Sequence, residues 1–263
     1  MTRFAGKVAV VTGGGTGIGR ATCLTLANEG ADIVVVSNVA AQAETVAREV
    51  ASLGRTGVAK VVDVTDIEAV NALARDVDAQ FGRADILVTC AGVMGARKLL
   101  TQTSAEEWRD TLEVNLNATF YCIKAFLPGM LARDVGRIIT LSSASGKLPA
   151  ALNGDYAASK HGVIGLTKTL ALELGILEKH GVTANAICPG PIDTPMMDAI
   201  TDHLAPAAKM GREDFRRVAV AKNAQRRLLD PEEVAHMVAY LASDQARGVT
   251  GQAMNVCGGL VLS

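Results

Sequence analysis

Apolar positions recur along the chain in two alternating periods, and this alternation predicts an α/β fold. Short β-branched runs such as residues 7–13 and 31–37 are apolar on both faces, as strands inside a parallel sheet are. Between them, residues 17–30 repeat apolar side chains at helical spacing and end at a glycine. The same alternation predicts further strands at 57–65, 85–92, 136–143, 182–190 and 252–256, and further helices at 40–54, 67–81, 106–133, around Tyr156 and at 231–243.

Strands that alternate with helices in this way form a parallel sheet covered on both faces. Because the crossover connections are right-handed, we expect a doubly wound sheet. No repeat or Pro/Gly linker divides the chain, so we interpret residues 1–263 as one domain. Residues 192–229 break the rhythm, since they contain no predicted strand. They follow the carboxyl end of a strand, where ligands bind in such sheets, and we interpret them as a mobile substrate lid.

Composition narrows the function classes. The formal net charge is −1 and aromatic residues make up 3% of the chain, which argues against binding of nucleic acid or of an anionic membrane. No apolar stretch approaches the ~20 residues that cross a bilayer. The five cysteines are scattered and show no zinc-like spacing, so we expect neither disulfides nor a bound metal. A strand-like run close behind Met1 leaves no room for a signal peptide, and we expect a soluble cytoplasmic protein.

The segment "TGGGTGIGR" joins the first predicted strand to the first predicted helix. Glycines allow positive φ and close approach of a ligand, and the free amides at the start of a helix bind a pyrophosphate. The alternative is that these glycines only make a tight strand–helix junction. Because the segment follows the first strand of an alternating pattern, we predict dinucleotide contacts at Gly13, Gly15, Thr16, Gly17, Ile18 and Gly19.

The end of the second predicted strand bears on which dinucleotide is bound. An acidic residue there binds the adenosine ribose of NAD, whereas a basic residue accommodates the 2′-phosphate of NADP. This chain has the uncharged Asn38, followed by Val39. A 2′-phosphate without a cation would lack its strongest contacts, so the sequence favours NAD over NADP. Asp63, at the end of the third predicted strand, either meets the adenine edge or closes a turn.

Tyr156 and Lys160 lie four positions apart and therefore share one face of a predicted helix. An ammonium beside a phenol lowers the phenol pKa from about 10. Such a phenol can exchange a proton with an alcohol while hydride moves to or from a dinucleotide. The alternative is a packing tyrosine beside a solvated lysine. Ser143 ends the preceding strand at the edge that carries the glycine loop, although Ser142 and Ser145 compete with it.

In this combination the chain resembles the short-chain dehydrogenase/reductase family over essentially its whole length. The residues on which this resemblance rests are "TGGGTGIG" at 12–19, Asp63, "AG" at 91–92, Asn115 in "EVNLN", Ser143, "YAASK" at 156–160 and "CPGPIDTPM" at 188–196. The resemblance implies a Rossmann fold with seven parallel strands in the order 3-2-1-4-5-6-7 and a helical lid after strand 6. It also implies hydride transfer between a nicotinamide dinucleotide and a secondary alcohol or ketone. A non-catalytic dinucleotide-binding sensor or scaffold of the same fold is the alternative.

The resemblance further implies a catalytic set of Asn115, Ser143, Tyr156 and Lys160. Tyr156 would be the general acid/base, Ser143 would orient the substrate, and Asn115 would hold a water that links Lys160 to solvent. Lys160 would hold the nicotinamide ribose and lower the phenol pKa. Further cofactor contacts are implied at Asn38, Asp63, Val64, Ala91, Gly92, Pro189, Gly190, Ile192 and Thr194.

Three features leave questions open. The family's "NNAG" reads "TCAG" here, and Thr89 and Cys90 replace two asparagines that tie the central strands together. Residues 209–227 hold seven basic and two acidic side chains, which either attract an anionic substrate or form a solvated helix face. The predicted partner is a small alcohol or ketone, such as a hydroxy acid, a keto ester, a 3-oxoacyl thioester, a polyol or a cyclic ketone. By resemblance, the long helices beside the Ser143 strand would pair in a homodimer or homotetramer.

Overall fold

β-branched residues dominate seven strands that form one parallel sheet, in a computed structural model that describes residues 2–262. Side chains in the central strands are buried on both faces, because helices cover both sides of the sheet. The strand order is 3-2-1-4-5-6-7, which confirms the expected Rossmann-like topology. The strands are β1 Val8–Thr12, β2 Asp32–Ser37, β3 Gly57–Val61, β4 Ile86–Thr89, β5 Gly136–Leu141, β6 Val182–Pro189 and β7 Ala253–Val256.

Two layers of helices bury the two faces of this sheet. The helices are α1 Gly17–Asn28, α2 Ala40–Ser52, α3 Ile67–Phe81, α4 Ala105–Leu112, α5 Ala118–Arg133, α6 Gly154–Ile176, α7 Pro195–Ala207, α8 Arg212–Val220 and α9 Pro231–Ala242. Helices α1, α2 and α9 pack on the face that carries Ala9 and Val11 of β1. Helices α3, α5 and α6 pack on the opposite face, against Val8 and Val10. Alternate positions of one strand thus belong to two separate cores.

Two predicted elements differ from the structure. Strand β3 ends at Val61, so Asp63 lies in the turn beyond the strand rather than at its end. The helix predicted over 106–133 is interrupted by a π-helical turn, Glu113–Asn117, between α4 and α5. Apolar periodicity does not distinguish a π turn from an α turn, because both keep the chain helical. Such turns are frequent at functional sites, and this one contains Asn115.

The insertion after β6 leaves the sheet and returns to it at neighbouring points. Ile192 and Leu229 form an isolated parallel bridge, and both side chains are buried. Between them the chain forms α7 and α8, and β6 is followed by no strand until β7. The expectation of a helical insertion after strand 6 is therefore correct. The bridge between Ile192 and Leu229 holds the two ends of the insertion together.

Membrane-spanning helices and metal-type clusters are both absent from residues 2–262. No helix in this part of the chain combines the length and the apolar character needed to cross a bilayer. Within the same residues, no group of three His, Cys, Asp or Glu side chains is arranged to hold a metal ion.

We expect Leu26→Ala to lower the free energy of unfolding by about 2–5 kcal/mol, because it leaves a cavity in a core that cannot collapse fully. Leu26 is completely buried between α1 and the sheet, whereas Leu53 is 40% exposed. The matched control Leu53→Ala should cost less than about 1 kcal/mol. Urea unfolding followed by circular dichroism measures both. Equal losses in the two variants would contradict the described core.

Candidate active site

The candidate site lies where the carboxyl ends of β1, β4, β5 and β6 meet at one edge of the sheet. These four strands are consecutive neighbours and parallel, so their following loops are brought side by side. In open α/β sheets this edge is where ligands bind. The glycine loop after β1, the segment after β4, the serines after β5 and the insertion after β6 all meet there.

The glycine loop has the backbone shape that a dinucleotide phosphate needs. Gly13 and Gly17 adopt positive φ of 63° and 49°. A Cβ at Gly19 would lie 2.0 Å from the carbonyl oxygen of Gly13, so only glycine allows the loop to close on itself. Helix α1 begins here with Thr16 as its N-cap, whose side chain makes no capping hydrogen bond. The Thr16 side chain therefore accepts no hydrogen bond from the backbone amides of the first turn, and these amides can donate to an anionic group.

On the adenosine side of the loop, two basic side chains near β2 are paired with carboxylates. Ser37 and the exposed Asn38 follow one another at the strand's end, and Ser37 accepts a hydrogen bond from the amide of Val39. Arg20 of α1 makes two hydrogen bonds to the Glu49 carboxylate at 2.9 and 3.0 Å. Lys60 of β3 lies 2.8 Å from Asp76. Arg20 and Lys60 are thus neutralised by carboxylates, whereas the exposed Arg48 of α2 donates to the Thr45 hydroxyl at 3.1 Å.

Asp63 closes a turn in the structure. One of its carboxylate oxygens accepts hydrogen bonds from the amide and the hydroxyl of Thr65, at 2.9 and 2.7 Å. These bonds lower the pKa of the Asp63 carboxyl. The hydrogen bonds that Asp63 makes in the structure are therefore those of a turn residue. A contact of its second carboxylate oxygen with adenine stays a prediction.

Ser143 is the serine that meets Tyr156. Its hydroxyl donates a hydrogen bond to the phenol oxygen, and it accepts one from the amide of Ser145 at 3.0 Å. Ser142 donates instead to the carbonyl of Lys160 at 2.8 Å, and the Ser145 hydroxyl accepts from Asn153 at 3.1 Å. The spacing in the sequence left these three serines open, and the tertiary contacts separate them.

Lys160 is buried, as few lysines are. Its ammonium donates to the carbonyl of Leu141 at 2.8 Å and lies 5.7 Å from the centre of the Tyr156 ring. Burial lowers the pKa of Lys160 from 10.5 to about 8. The amine and the phenol expected on one face of a helix are therefore neighbours, at the base of the same cleft.

The expected lowering of the Tyr156 pKa by Lys160 is corrected by the structure. Burial raises the pKa of the phenol above its ordinary value, because it disfavours the phenolate. The hydrogen bond from Ser143 and the positive charge of Arg97 act against this rise. Lys160 does not contribute to the lowering here, because burial brings the pKa of its amine to about 8, below that of the phenol, and the amine therefore loses its proton first. In the protein alone, the phenol is thus held above its ordinary pKa.

Asn115 joins the π turn to the segment after β4. Its side-chain oxygen accepts from the amide of Val93 at 2.8 Å, and its nitrogen donates to the Val93 carbonyl and to Ser159, both at 3.1 Å. A Cβ at Gly92 would lie 3.0 Å from the Asn115 oxygen and 3.5 Å from the Lys160 amine. The Asn115 side chain thus connects the segment after β4 to Ser159 of α6. A role for Asn115 in proton relay through water stays a prediction.

Arg97 was missed in the sequence, and it lies at the reacting group. Its guanidinium carbon is 5.3 Å from the centre of the Tyr156 ring. The segment that carries it is tied to α6, because the buried Asp155 carboxylate accepts from the amide of Ala96 at 2.7 Å and from Thr111 at 2.8 Å. No motif or period marks residues 95–97. Only their proximity in the fold identifies them.

The residues after β6 reach the glycine loop. A Cβ at Gly17 would lie 3.2 Å from the Thr194 methyl group. The Thr194 hydroxyl accepts from the amide of Met197 and so caps α7. Gly190 packs on the backbone of Cys257, where a Cβ would lie 2.8 Å from the Cys257 Cα. Thr194 is therefore brought to the predicted phosphate site, and the cofactor contacts of Pro189, Gly190 and Ile192 stay predictions.

The substitution of "TCAG" for the family's asparagines is partly compensated. The amides of Cys90 and Ala91 both donate to the Thr12 hydroxyl, at 3.2 and 3.3 Å, and this ties β4 to β1. The Thr89 hydroxyl is buried and has no hydrogen-bond partner in the described chain. An orphaned buried hydroxyl is a local cost, so one of the two strand ties is kept and the other is lost.

The basic run at 209–227 is largely neutralised. Asp198 of α7 accepts hydrogen bonds from Arg212 and Arg216 of α8, at 2.9 and 2.7 Å, and Arg216 also pairs with Asp193. The remaining pairs join Arg212 to Asp202, Arg217 to Asp214 and Arg227 to Glu233. The pairs made by Asp198 and Asp202 hold α7 against α8. The four paired arginines therefore stabilise the insertion and do not form a free anion-binding surface.

Comparison with known proteins agrees with this geometry. Residues 13–261 match the family described as "Enoyl-(Acyl carrier protein) reductase". The chain is 38% identical over 262 residues to the monensin polyketide synthase putative ketoacyl reductase of Streptomyces virginiae, covering 99% of both chains. It is 36% identical over 259 residues to the 3-oxoacyl-acyl-carrier-protein reductase FabG of Escherichia coli, covering 98% of this chain and 99% of that one.

Two solved structures have the same fold. A variant of actinorhodin polyketide ketoreductase crystallised with NADPH superposes with a TM-score of 0.93 at 36% identity, covering 100% of this chain and 99% of that one. Levodione reductase superposes with a TM-score of 0.92 at 31% identity, covering 97% and 98%. Together with the glycine loop and the Ser143–Tyr156 contact, these relationships confirm the family and the reaction class expected from the sequence. The chain belongs to the short-chain dehydrogenase/reductase family and is an NAD(P)-dependent oxidoreductase that acts on alcohol and carbonyl groups.

Proposed function

We propose that Tyr156 transfers the proton in this reaction, with Ser143 and Lys160 as its partners. The observation that carries the proposal is the hydrogen bond from the Ser143 hydroxyl to the phenol, beside a buried amine at the edge that holds the glycine loop. A nicotinamide dinucleotide bound on that loop supplies the hydride donor or acceptor and, when oxidised, a positive charge.

The two hydroxyls hold the substrate oxygen between them. In oxidation, the phenolate of Tyr156 takes the proton of the alcohol as the substrate carbon loses its hydride. In reduction, the phenol gives that proton back to the carbonyl oxygen. The Ser143 hydrogen bond and the positive charge of Arg97 favour the phenolate, which the burial of Tyr156 otherwise disfavours. Lys160 is proposed to hold the nicotinamide ribose. Asn115 keeps the segment after β4 in place beside both groups.

The cofactor proposal is NAD. The end of β2 offers Ser37 and Asn38, and the basic side chains Arg20 and Lys60 are paired with carboxylates. A 2′-phosphate there would have no cation to replace its hydration. NADP is the alternative, and it is favoured by one relative that was crystallised with NADPH. The two differ at one phosphate, so a binding measurement separates them.

The insertion and the outer helices carry the remaining proposals. The segment 192–229 is proposed to cover the substrate, since Thr194 at its start reaches the glycine loop. Helices α5 and α6 are proposed to pair between subunits in a dimer or tetramer. On these helices the large apolar side chains Phe120, Leu172 and Ile176 are 43%, 74% and 81% exposed, as expected of an interaction surface. A cytoplasmic location fits the five cysteines, all of which are free.

Replacing Tyr156 by phenylalanine should lower turnover by ~10²–10⁴-fold, because it removes the proton donor and leaves the ring in place. Affinity for the dinucleotide, measured by fluorescence titration, should stay nearly unchanged. Tyr240→Phe is the matched control: Tyr240 lies on α9 and is 38% exposed, and this variant should turn over at the wild-type rate. Unchanged turnover in Tyr156→Phe would remove this residue from the mechanism.

For the wild-type enzyme we expect a lower Kd for NADH than for NADPH. Asn38→Arg should tighten NADPH binding by roughly tenfold or more, since it supplies the charge that a 2′-phosphate requires. Asn38→Gln, which keeps the residue neutral, should not do so. Fluorescence titration of the three proteins with both dinucleotides makes the comparison. Tighter binding of NADPH by the wild type would overturn the NAD proposal.

The burial of Lys160 should appear as a pH dependence of stability. Its pKa is about 8 in the folded chain and 10.5 as the ordinary value. Between these two pH values Lys160 is protonated in the unfolded chain and largely neutral in the folded chain. The unfolded chain thus binds more protons, so the free energy of unfolding rises with pH across that window. The free energy of unfolding of the wild type, minus that of Lys160→Met, should therefore increase from pH 8 to pH 10 by on the order of 2 kcal/mol. Urea unfolding at several pH values tests this, and a flat difference would contradict a buried amine with a lowered pKa.

A further inference from the structure

Arg97 places a positive charge beside the group that reacts. Its guanidinium carbon lies 5.3 Å from the centre of the Tyr156 ring, and its side chain is partly buried. A reacting oxygen must lie within hydrogen-bond distance of the Tyr156 hydroxyl. The part of the substrate next to that oxygen therefore comes within a few ångströms of Arg97.

The fold holds this guanidinium in place. The Arg97 Nε donates to the carbonyl of Met94 at 2.9 Å, so the side chain folds back on its own loop. The adjacent amide of Ala96 donates to Asp155, whose side chain is 2% exposed. Asp155 directly precedes Tyr156, so one carboxylate ties the arginine segment to the helix of the catalytic tyrosine. The guanidinium is positioned before any substrate binds.

No carboxylate neutralises Arg97. Among residues 2–262, none lies within ion-pair distance of it, and its two terminal nitrogens have no hydrogen-bond acceptor. The nearby Asp155 is occupied by the amide of Ala96 and the hydroxyl of Thr111. Burial lowers the pKa of Arg97, while Tyr156 and Asp155 act in the opposite direction. The arginines of the insertion differ, because Arg212, Arg216, Arg217 and Arg227 are paired.

A guanidinium with free terminal nitrogens matches a carboxylate, which it binds through two parallel hydrogen bonds. A neutral ketone would shield the Arg97 guanidinium further from water without providing an opposite charge, and burying an unpaired charge is unfavourable. We propose that Arg97 binds a carboxylate of the substrate, and that this enzyme acts on short oxo acids and hydroxy acids in preference to neutral ketones and esters. The proposal rests on the proposed function of Tyr156, and it names the substrate class of that same site.

The test compares 2-oxobutanoate and 3-oxobutanoate with their methyl esters, with initial rates followed by absorbance of the reduced nicotinamide. In the wild type, kcat/KM for the better acid should exceed that for its ester by at least ~10-fold, as expected for a charge-assisted contact. Arg97→Gln should lower kcat/KM for the acid by ~10²-fold and change that for the ester by less than ~3-fold. Arg97→Lys, which keeps the charge without the fork, should fall between them.

Lys98→Gln is the matched control. It removes a positive charge from the next residue, which is exposed and pairs with Glu107. This variant should retain the wild-type preference for the acid. An equal loss for acid and ester in Arg97→Gln would overturn the proposal, since Arg97 would then act only through the Tyr156 pKa. A wild-type preference for the ester would also overturn it.

A binding measurement separates this proposal from the proposed function. Isothermal titration calorimetry of the protein–NAD⁺ complex with butanoate, and with butanamide as the neutral match, needs no turnover. Butanoate should bind to the wild type at least ~10-fold more tightly than to Arg97→Gln, and butanamide should not distinguish them. If that difference appears while no carbonyl compound is reduced, the carboxylate site stands and the assignment of Tyr156 fails. Equal butanoate binding by the two proteins overturns the carboxylate site.

Discussion

The position of the reacting groups depends on a pair of hydrogen bonds between α6 and the end of β5. The Lys160 ammonium donates to the carbonyl of Leu141, and Ser142 donates to the carbonyl of Lys160. These bonds run in opposite directions between one strand tip and one turn of helix, so they fix the register of the two elements. Ser143 follows directly after them and therefore meets Tyr156. A buried amine is tolerated here because it has this acceptor.

The distribution of paired and unpaired charges gives the cleft its chemistry. In the insertion, Asp198 and Asp202 of α7 pair with Arg212 and Arg216 of α8, so part of a strongly basic stretch serves to join two helices. At the catalytic tyrosine the situation is reversed, because Asp155 is used by backbone and hydroxyl donors and leaves Arg97 without a partner. A count of charges in the sequence points to the insertion as the anion site. The contacts point instead to the segment after β4.

The fold was predictable because its signals are local. Strand β2 and helix α3 follow directly from β-branched runs and from apolar positions at helical spacing, and both were found close to their predicted bounds. The errors lie where a competing local interaction decided. Strand β3 stops at Val61, and the turn beyond it is closed by hydrogen bonds that the amide and hydroxyl of Thr65 donate to the Asp63 carboxylate. The π turn at Glu113–Asn117 leaves no mark on the apolar pattern.

By itself the sequence determined the parallel sheet, the glycine loop and the pairing of Tyr156 with Lys160, since each depends on residues close together in the chain. The tertiary structure decided which of three serines meets the phenol, because that choice depends on how β5 docks against α6. It also decided that burial raises the phenol pKa in the protein alone, and that Arg97 lies beside the phenol. Burial and charge proximity arise from contacts between distant segments, and no periodicity in the chain encodes them.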